Sequence, residues 1–305
     1  PLRMMGANIN LSKNNTAPIS ISPVTKISGI EYKMPIDSAQ IKSSIILASL
    51  YSSEKTNIIE NIKSRDHTEN MINYLGGSIT TINNKITVNP EKKLVSNDID
   101  IPGDISSAMF IIVGCLISRK SKVTIKNVGL NELRTGGIEI LKLMGANIQI
   151  DNIKKYGPEK IGDIIIYSSE LKGINIPEKY IANAIDEFPI LFIAAANASG
   201  KTILKNAMEL RFKESDRLAS MSKGLLKCNI NNTLLDDGIE IEGGKISGAT
   251  IDSYDDHRIA MSFAIAGIAS SSTITILNTE NVSTSFPGFD NLMRKMGLKI
   301  KRENI

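Results

Sequence analysis

Apolar positions at helical spacing recur along the chain, and they end at intervals in one short sequence. Its five copies are MMGANI (4–9), YLGGSI (74–79), LMGANI (143–148), LLKCNI (225–230) and KMGLKI (295–300). A fixed recurrence of this kind indicates an internal repeat. Glycine adopts the left-handed conformation that closes many helices at little cost, so the glycine in four copies predicts a helix end before a strand. Lys227 replaces it in the fourth copy, and we expect that helix to end differently.

A second pattern alternates with the first, in which an apolar helix precedes a β-branched strand that ends in asparagine. The strands are TNIIEN (56–61), KVTIKN (122–127), KTILKN (201–206) and TITILN (273–278). The helices before them are predicted at 38–51, 105–117, 185–196 and 256–269, and they are apolar nearly all round, which predicts burial. Turn signals such as Asn83-Asn84 and Gly243-Gly244 predict hairpins after the amphipathic helices. The pattern therefore predicts an α/β protein built from βαβαββ repeats.

Composition narrows the classes of function. The chain has 305 residues, of which 42% are hydrophobic, enough for two domains with cores. Its formal net charge is +4 without a block of five like charges, which suits anionic metabolites. Aromatic residues make up 5% and tryptophan is absent, so a stacking surface for nucleic acid is not predicted. No uncharged apolar run reaches the roughly 18 residues of a membrane span.

Cys115 and Cys228 lie in apolar runs without metal-ligand spacing, which favours a reducing, cytoplasmic compartment and predicts neither a metal ion nor a cofactor. The chain opens at Pro1 in what the pattern predicts to be the last turn of a helix. We therefore expect an N-terminally truncated fragment that lacks about one and a half repeats, on the order of a hundred residues. The run IDIPGD predicts a boundary near 101–103, which gives domains 1–100 and 101–305.

Charged side chains gather at the predicted helix starts, most densely in LRFKESDRLASM (210–221). A helix N-terminus attracts anions, so Lys213 and Arg217 could form an anion cradle with Glu214 inside it. The alternative is a solvated helix start with internal salt bridges. Ser64, Ser215 and similar residues could simply cap helices. Capping requires acceptors, however, and arginine supplies donors alone. Arginines stand beside four of these starts, at positions 65, 134, 217 and 258, and they predict a ligand with more than one anionic group.

Seven runs together make the chain similar to one known family. They are SAQIKSSIILASL (38–50), SRDHTENM (64–71), PGDISSAMF (102–110), RTGGIEILKLMGA (134–146), LRFKESDRLASM (210–221), DSYDDHRIAM (252–261) and SFPGF (285–289). In this order they resemble the 3-phosphoshikimate 1-carboxyvinyltransferase, or EPSP synthase, family. The resemblance implies a two-domain enolpyruvyl transferase fold of βαβαββ units, an inside-out α/β barrel. It also implies transfer of the enolpyruvyl group of phosphoenolpyruvate to the 5-hydroxyl of shikimate 3-phosphate, with release of phosphate.

The resemblance also implies roles for individual residues. Ser38, Ala39 and Gln40 match contacts to the phosphate of shikimate 3-phosphate, and Gln40 also reaches phosphoenolpyruvate. Ser64, Arg65 and Lys213 match further contacts to shikimate 3-phosphate. Asp186 matches the carboxylate that holds the shikimate hydroxyls and takes the proton from the attacking one, and Glu214 matches the acid that protonates the methylene carbon. Arg217 and Arg258 match the clamp on phosphoenolpyruvate, with His257 beside them.

Alternatives stay open for two of these residues, because Asp186 could be a helix cap and His257 could merely bond Asp255 or the backbone. Thr284 departs from the family pattern, in which many members carry a lysine that contacts phosphoenolpyruvate. The rival functions are the sister enzyme that acts on UDP-N-acetylglucosamine and a non-catalytic module that binds phosphorylated metabolites. We expect a monomer at full length, and a fragment of this extent is not expected to catalyse the reaction alone.

Overall fold

The computed structural model describes residues 1–90 and 93–303. The strands are β1 (Asn8–Asn10), β2 (Ser20–Ser22), β3 (Glu31–Lys33), β4 (Thr56–Ile59), β5 (Ser78–Ile82), β6 (Lys85–Asn89), β7 (Lys122–Gly129), β8 (Asn147–Tyr156), β9 (Glu159–Tyr167), β10 (Lys201–Leu204), β11 (Asn232–Leu234), β12 (Ile239–Glu242), β13 (Thr250–Asp252) and β14 (Thr275–Leu277). The α-helices are α1 (Ala39–Ser49), α2 (His67–Tyr74), α3 (Ile105–Ile117), α4 (Gly136–Leu143), α5 (Ile181–Ala184), α6 (Phe188–Ala196), α7 (Arg217–Lys227), α8 (His257–Ala266), α9 (Val282–Ser285) and α10 (Phe289–Lys295). Short 3₁₀ helices cover Glu178–Tyr180, Ile185–Glu187 and Met208–Phe212.

The chain divides into two compact units. Pro1–Ile101 and Lys155–Lys160 form the first unit, and Pro102–Lys154 and Ile161–Ile305 form the second. Each unit has its own cluster of buried apolar side chains. Within the described residues, none of the helices combines the length and the apolar character that a membrane crossing requires.

The first unit contains one complete βαβαββ repeat. Its four-stranded sheet has the order β3-β4-β6-β5, in which β3 lies parallel to β4 and the other neighbours are antiparallel. The predicted turn at Asn83-Asn84 joins β5 to β6, and Asn83 has a φ of 54°. The strands β1 and β2 form a separate antiparallel pair.

The second unit repeats the pattern with shorter leading strands. Its sheets have the orders β7-β9-β8, β10-β12-β11 and β13-β14, and the last pair is parallel. The strands ahead of α3 and α6 are reduced to isolated parallel bridges, such as Gly103 with Val128 and Asn175 with Ile203. The βαβαββ architecture is thus present, but the leading strands before α3 and α6 are reduced to isolated β-bridges.

Burial follows the predicted pattern in the second unit and departs from it in the first. All nine residues of α6 and ten residues of α3 are buried. The prediction that the helix over 38–51 is buried nearly all round is wrong, because Leu47 is 49% exposed and Tyr51 is 83% exposed. The compact core of the first unit covers one face of α1, formed by residues 42, 45, 46 and 49.

The predicted helix end is confirmed in three of the four glycine copies, after α2, α4 and α10, whereas Gly6 follows a turn. A strand follows Gly76 and Gly145, but none follows Gly297 within the residues described up to 303. Gly6, Gly76, Gly145 and Gly297 all have positive φ, between 84° and 101°. In the fourth copy, Asn229 takes the left-handed conformation with a φ of 62°, two residues beyond Lys227. Asparagine tolerates this conformation better than other residues with a side chain. The same property explains the asparagines that end three predicted strands, since Asn127, Asn206 and Asn278 have φ between 52° and 58°.

Candidate active site

Arg217 lies at the centre of the charged cluster in the second unit. It is the first residue of α7, and its side chain is 1% exposed. Its Nε donates to Asp256 Oδ2 at 2.8 Å and its Nη2 donates to Glu214 Oε2 at 2.5 Å. Its Nη1 lies 3.6 Å from Asp186 Oδ1 and has no hydrogen-bond acceptor within the described parts of the chain. Three carboxylates therefore surround one guanidinium that retains a donor for a further acceptor.

Asp256 holds Arg217 in place. Its fully buried carboxylate caps α8 by accepting from the Arg258 amide at 2.9 Å, and it accepts from Ser215 Oγ at 3.0 Å. Burial alone would raise the pKa of Asp256, but hydrogen bonds and charge from Arg217, with the Arg258 amide and Ser215, together lower it below its ordinary value. The ion pair is thus a fixed part of the site.

Asp186 faces cations and does not cap a helix. It lies in the 3₁₀ helix Ile185–Glu187 ahead of α6, whose N-terminus has no side-chain cap. Its carboxylate lies 3.3 Å from Lys213 Nζ, and its carbonyl accepts from Arg258 Nη1 at 2.7 Å. Lys213 also contacts Glu209 at 2.5 Å. Two cations near the carboxylate stabilise its negative charge, which suits a proton acceptor.

Glu187 lies close to the two other helix-start arginines of the second unit, Arg134 and Arg258. It is 2% exposed and accepts from Ser106 Oγ at 2.5 Å, and Ser106 Oγ also accepts from Arg134 Nη2 at 2.5 Å. The carboxylate lies 3.8 Å from Arg134 Nη2 and 3.6 Å from Arg258 Nη1. Asp104 caps α3 and lies 3.7 Å from Arg134. Burial raises the pKa of Asp104, but hydrogen bonds from Ser107 and the charge of Arg134 lower it overall.

His257 is the first residue of α8, next to Arg258. Burial lowers the pKa of His257, and the charge of Arg258 lowers it further, so the neutral imidazole is favoured.

The predicted residues of the first unit lie at the start of α1 and in the loop before α2. Ser38 caps α1, because its Oγ accepts from the Ile41 amide at 3.4 Å. Ala39 and Gln40 form the first turn, and Gln40 is exposed. The neighbouring Asp37 carboxylate accepts from two backbone amides of the loop at 2.8 Å each, those of residues 61 and 62.

Ser64 is not a helix cap. Its Oγ donates to Glu60, and its amide donates to the same oxygen at 3.2 Å. Arg65 follows it and is half-buried. His67 contacts Glu159 through Nδ1 at 2.7 Å, and the N-terminus of α2 has no side-chain cap. Ser215 is also not a cap, because Asp216 accepts the free amide of Ala219 at 3.0 Å.

The structure brings Asp186, Lys213, Glu214, Arg217 and Arg258 into one cluster, as the helix-start pattern suggests. Thr284 lies exposed in α9. The sequence pattern assigned no role to five buried charged residues, which are Lys42, Glu60 and Glu69 in the first unit and Glu187 and Asp256 in the second. A signal for Lys42 was available, because it lies on the same helical face as Ile45, Ile46 and Ser49. Within the described residues, no group of three His, Cys, Asp or Glu side chains could hold a metal ion.

Comparisons with known proteins agree on one family. The sequence profile described as EPSP synthase (3-phosphoshikimate 1-carboxyvinyltransferase) matches residues 1–293. A protein of Methylococcus capsulatus named 3-phosphoshikimate 1-carboxyvinyltransferase is 46% identical over 301 residues, which cover 99% of this chain and 69% of the relative. A protein of the same name from Legionella pneumophila is 48% identical over 289 residues, which cover 95% of this chain and 66% of the relative.

Solved structures give the same result. An EPSP synthase from Acinetobacter baumannii has a TM-score of 0.92 and 46% sequence identity to this chain. The match covers 99% of this chain and 70% of the solved chain. At this identity the likeness covers sequence and architecture together.

Proposed function

The chain belongs to the EPSP synthase family, whose reaction moves the enolpyruvyl group of phosphoenolpyruvate to the 5-hydroxyl of shikimate 3-phosphate, and we propose how its residues serve that reaction. Arg217 and Arg258, with His257 beside them, bind phosphoenolpyruvate. Asp186 accepts the proton of the attacking hydroxyl, and Glu214 donates a proton to the methylene carbon. The observation that carries this proposal is the cluster in which Lys213 and Arg217 lie within 3.6 Å of Asp186.

Glu214 occupies the position on Arg217 at which an anionic ligand would bind. Its side chain is 52% exposed, whereas the guanidinium that it contacts is 1% exposed. An entering carboxylate or phosphate would form the bidentate contact that arginine favours, and it would displace Glu214 from Nη2. The displaced carboxyl group can then take up a proton from solvent and act as the acid. Glu214 thus changes partner when phosphoenolpyruvate binds.

The proton transfers balance in this scheme. The hydroxyl oxygen forms a bond to C2 of phosphoenolpyruvate while its proton passes to Asp186 and the methylene carbon receives a proton from Glu214. The bond between C2 and the phosphate oxygen then breaks, the new methyl group returns a proton to the Glu214 carboxylate, and the double bond re-forms. Asp186 passes its proton to the departing phosphate or to solvent. Charge builds up on the leaving phosphate, and preorganised cations such as Arg217 stabilise it.

The first unit supplies contacts to shikimate 3-phosphate in this proposal. Ser38, Ala39 and Gln40 lie at a helix N-terminus, which attracts phosphate. Ser64 and Arg65 add polar and cationic groups, and Lys213 of the second unit contacts the same substrate. Gln40 also contacts phosphoenolpyruvate. We assign residues 1–100 and 101–305 to the two domains of the family fold.

Two further proposals concern the whole protein. We propose that the protein is a monomer and that it lies in the cytoplasm. The family resemblance supports the monomer. Cys115 and Cys228 are free and buried, which supports a reducing compartment. The rival acceptor, UDP-N-acetylglucosamine, is not favoured, because the curated relatives carry the EPSP synthase name.

The test is turnover and binding by Asp186→Asn in the full-length enzyme. Loss of a group that transfers a proton is expected to lower phosphate release by about a hundred- to ten-thousandfold. Binding of shikimate 3-phosphate, measured by calorimetry, is expected to change much less. The matched control is Asp163→Asn, which alters a carboxylate that accepts from the Asn127 amide on β7. Equal losses of turnover and binding in Asp186→Asn would contradict its role as base, and release with UDP-N-acetylglucosamine would contradict the acceptor.

A further inference from the structure

Lys42 is a buried lysine at the predicted phosphate-binding end of the first unit. It lies in the first turn and a half of α1, four residues after Ser38, and its side chain is 1% exposed. A lysine in this position is unusual, because removing an ammonium group from water is costly unless its charge and its three donors find partners. None of the roles proposed above uses it.

Three groups satisfy the ammonium of Lys42. Its Nζ lies 2.8 Å from Glu69 Oε1 and 3.3 Å from Glu60 Oε2, and it donates to the Ser64 carbonyl at 3.1 Å. Glu69 belongs to α2, and Glu60 follows β4. One side chain of α1 therefore joins the end of a strand, a loop and a second helix.

Glu60 completes the hold on Ser64. The Glu60 oxygen that does not face Lys42 accepts from both the amide and the hydroxyl of Ser64. The amide, hydroxyl and carbonyl of Ser64 are thus all bonded to the cluster of Lys42 and Glu60. Both the backbone and the side-chain direction of Ser64 are set by two buried charged residues.

Asp37 fixes the same loop from its other side. Its carboxylate accepts from the amides of Asn61 and Ile62, and Asp37 directly precedes the helix cap Ser38. Ser43 Oγ and Thr68 Oγ1 also bond at 2.7 Å between α1 and α2. The spacing between the start of α1 and the loop 61–66 is therefore constrained at several points, and the buried residues Lys42, Glu60 and Glu69 lie at the centre of these contacts.

We infer that Lys42, Glu60 and Glu69 are positioning residues that set the distance between the helix start 38–40 and Ser64, and through it the affinity for the phosphate of shikimate 3-phosphate. This inference rests on the proposed function, which assigns both segments to that ligand. The charges support it, because Lys42 neutralises carboxylates that would otherwise repel a phosphate nearby. Burial raises the pKa of Glu69, and its buried Oε2 has no hydrogen-bond partner in the described residues, so Lys42 is its main support.

The experiment measures the dissociation constant for shikimate 3-phosphate and the KM for phosphoenolpyruvate in full-length Glu60→Gln. Glutamine keeps the shape but loses the charge that holds Lys42 and Ser64. Misplacement by about an ångström can cost about a hundredfold, so we expect binding of shikimate 3-phosphate to weaken ten- to a hundredfold. The KM for phosphoenolpyruvate is expected to stay within about twofold, since a change confined to positioning the first substrate leaves the second site intact.

Matched variants separate positioning from general destabilisation. Ile45→Val alters a fully buried residue of the same helix, and we expect it to lower stability and leave the affinity unchanged. If Lys42→Met does not fold because two carboxylates lose their partner, the double variant Lys42→Met with Glu69→Gln removes one of those charges. We expect that double variant to fold and to bind shikimate 3-phosphate more weakly than wild type, because the Ser64 carbonyl has lost the hydrogen bond that Lys42 donates to it.

The outcomes distinguish the inference from the proposed function. Ser64→Ala tests the contact itself, and unchanged affinity there would overturn both the role of Ser64 and the inference. Weakened binding by Ser64→Ala, together with wild-type affinity in Glu60→Gln and in the double variant, would overturn the inference alone. Weakened binding in all three, with Ile45→Val unaffected, supports it.

Discussion

At the scale of single residues, the second unit depends on the buried pair of Arg217 and Asp256. Both side chains are at most 1% exposed, and their hydrogen bond measures 2.8 Å. Breaking such a pair from one side leaves an uncompensated charge in the interior, which is far more costly than the net value of the intact pair. Asp256 also caps α8, so one carboxylate supports both the arginine and the helix that carries Arg258.

Replacing Asp256 by asparagine is expected to lower the free energy of unfolding by about 3–5 kcal/mol at pH 7. The pKa of Asp256 in the folded protein is below its ordinary value of 3.8, so its ionisation stabilises the fold above that value. This contribution is lost as the pH falls through the folded pKa. Urea unfolding should therefore give a constant difference between wild type and variant from pH 7 to about pH 5, and a smaller one below about pH 4.

The control is Asp290→Asn, which removes an exposed ion pair with Arg294. Exposed pairs of this type contribute about 0–1 kcal/mol. A difference for Asp256→Asn as small as that of the control, or one that grows as the pH falls, would contradict the assigned role.

Sequence patterns predicted where chemistry gathers but left open what some of the side chains do there. The arginines at helix starts were predicted to require explanation beyond capping, and Arg217 and Arg258 do lie in the charged cluster. Ser64 and Ser215 fit the capping pattern equally well, yet their hydroxyls bond Glu60 and Asp256. These partners lie four and 41 residues away, and spacing along a chain does not specify which buried acid a loop will meet. Such contacts arise from tertiary packing.

At the scale of secondary structure, the contact between α7 and α8 requires a glycine. A Cβ atom on Gly224 would lie 2.2 Å from Cζ of Phe263, a ring that is fully buried. Glycine inside a helix costs about 1 kcal/mol relative to alanine, so its presence here is explained by close packing. The two helices begin with Arg217 and His257, and their approach therefore also positions the candidate site.

We predict that Gly224→Ala destabilises the protein by about 2 kcal/mol, because overpacking a core exceeds the gain in helix propensity. Thermal or urea unfolding measures the effect, and Gly224→Ala with Phe263→Leu should recover part of it. Gly114 provides the control inside α3, since its added Cβ would lie 3.2 Å from the flexible end of Ile268. Stabilisation by Gly224→Ala, or equal losses in both variants, would contradict the packing argument.

The helices and the hairpin turn at Asn83-Asn84 were the most predictable elements, whereas the hairpin predicted at Gly243-Gly244 is wrong, because β12 pairs with β10 and β11 and not with a strand that follows it. The helix predicted at 105–117 has those bounds, and the other apolar helices begin within about three residues of their predicted starts. Burial of α1 was overestimated, because composition shows that a helix is apolar but not how large a core lies beside it. The isolated bridges ahead of α3 and α6 were also not predicted, since strand pairing depends on residues distant in the chain.

At the scale of the whole molecule, the internal repeats allowed the fold to be predicted from the sequence. Three of the repeats pair one helix start that carries acceptors with another that carries cations, at α1 and α2, α3 and α4, and α6 and α7. Several anion-attracting helix ends therefore arise from one supersecondary plan. The repeats have diverged in packing, however. The second unit has a buried cluster of many more residues than the first, whose core contains nine. The order of strands in each sheet and the buried ion clusters are properties of that packing and were not readable from the repeats.

We propose that Glu214 leaves Arg217 when phosphoenolpyruvate binds and then acts as the acid. The most direct measurement is phosphate release by full-length Glu214→Gln, with the affinity for phosphoenolpyruvate measured alongside. The control is Glu139→Gln, because Glu139 forms a pair with Lys142 at the same i,i+3 spacing and is 41% exposed, against 52% for Glu214. We predict at least a hundredfold loss of turnover, with phosphoenolpyruvate bound as tightly as in wild type or more tightly. Turnover within about tenfold of wild type, or a loss matched by Glu139→Gln, would contradict the claim.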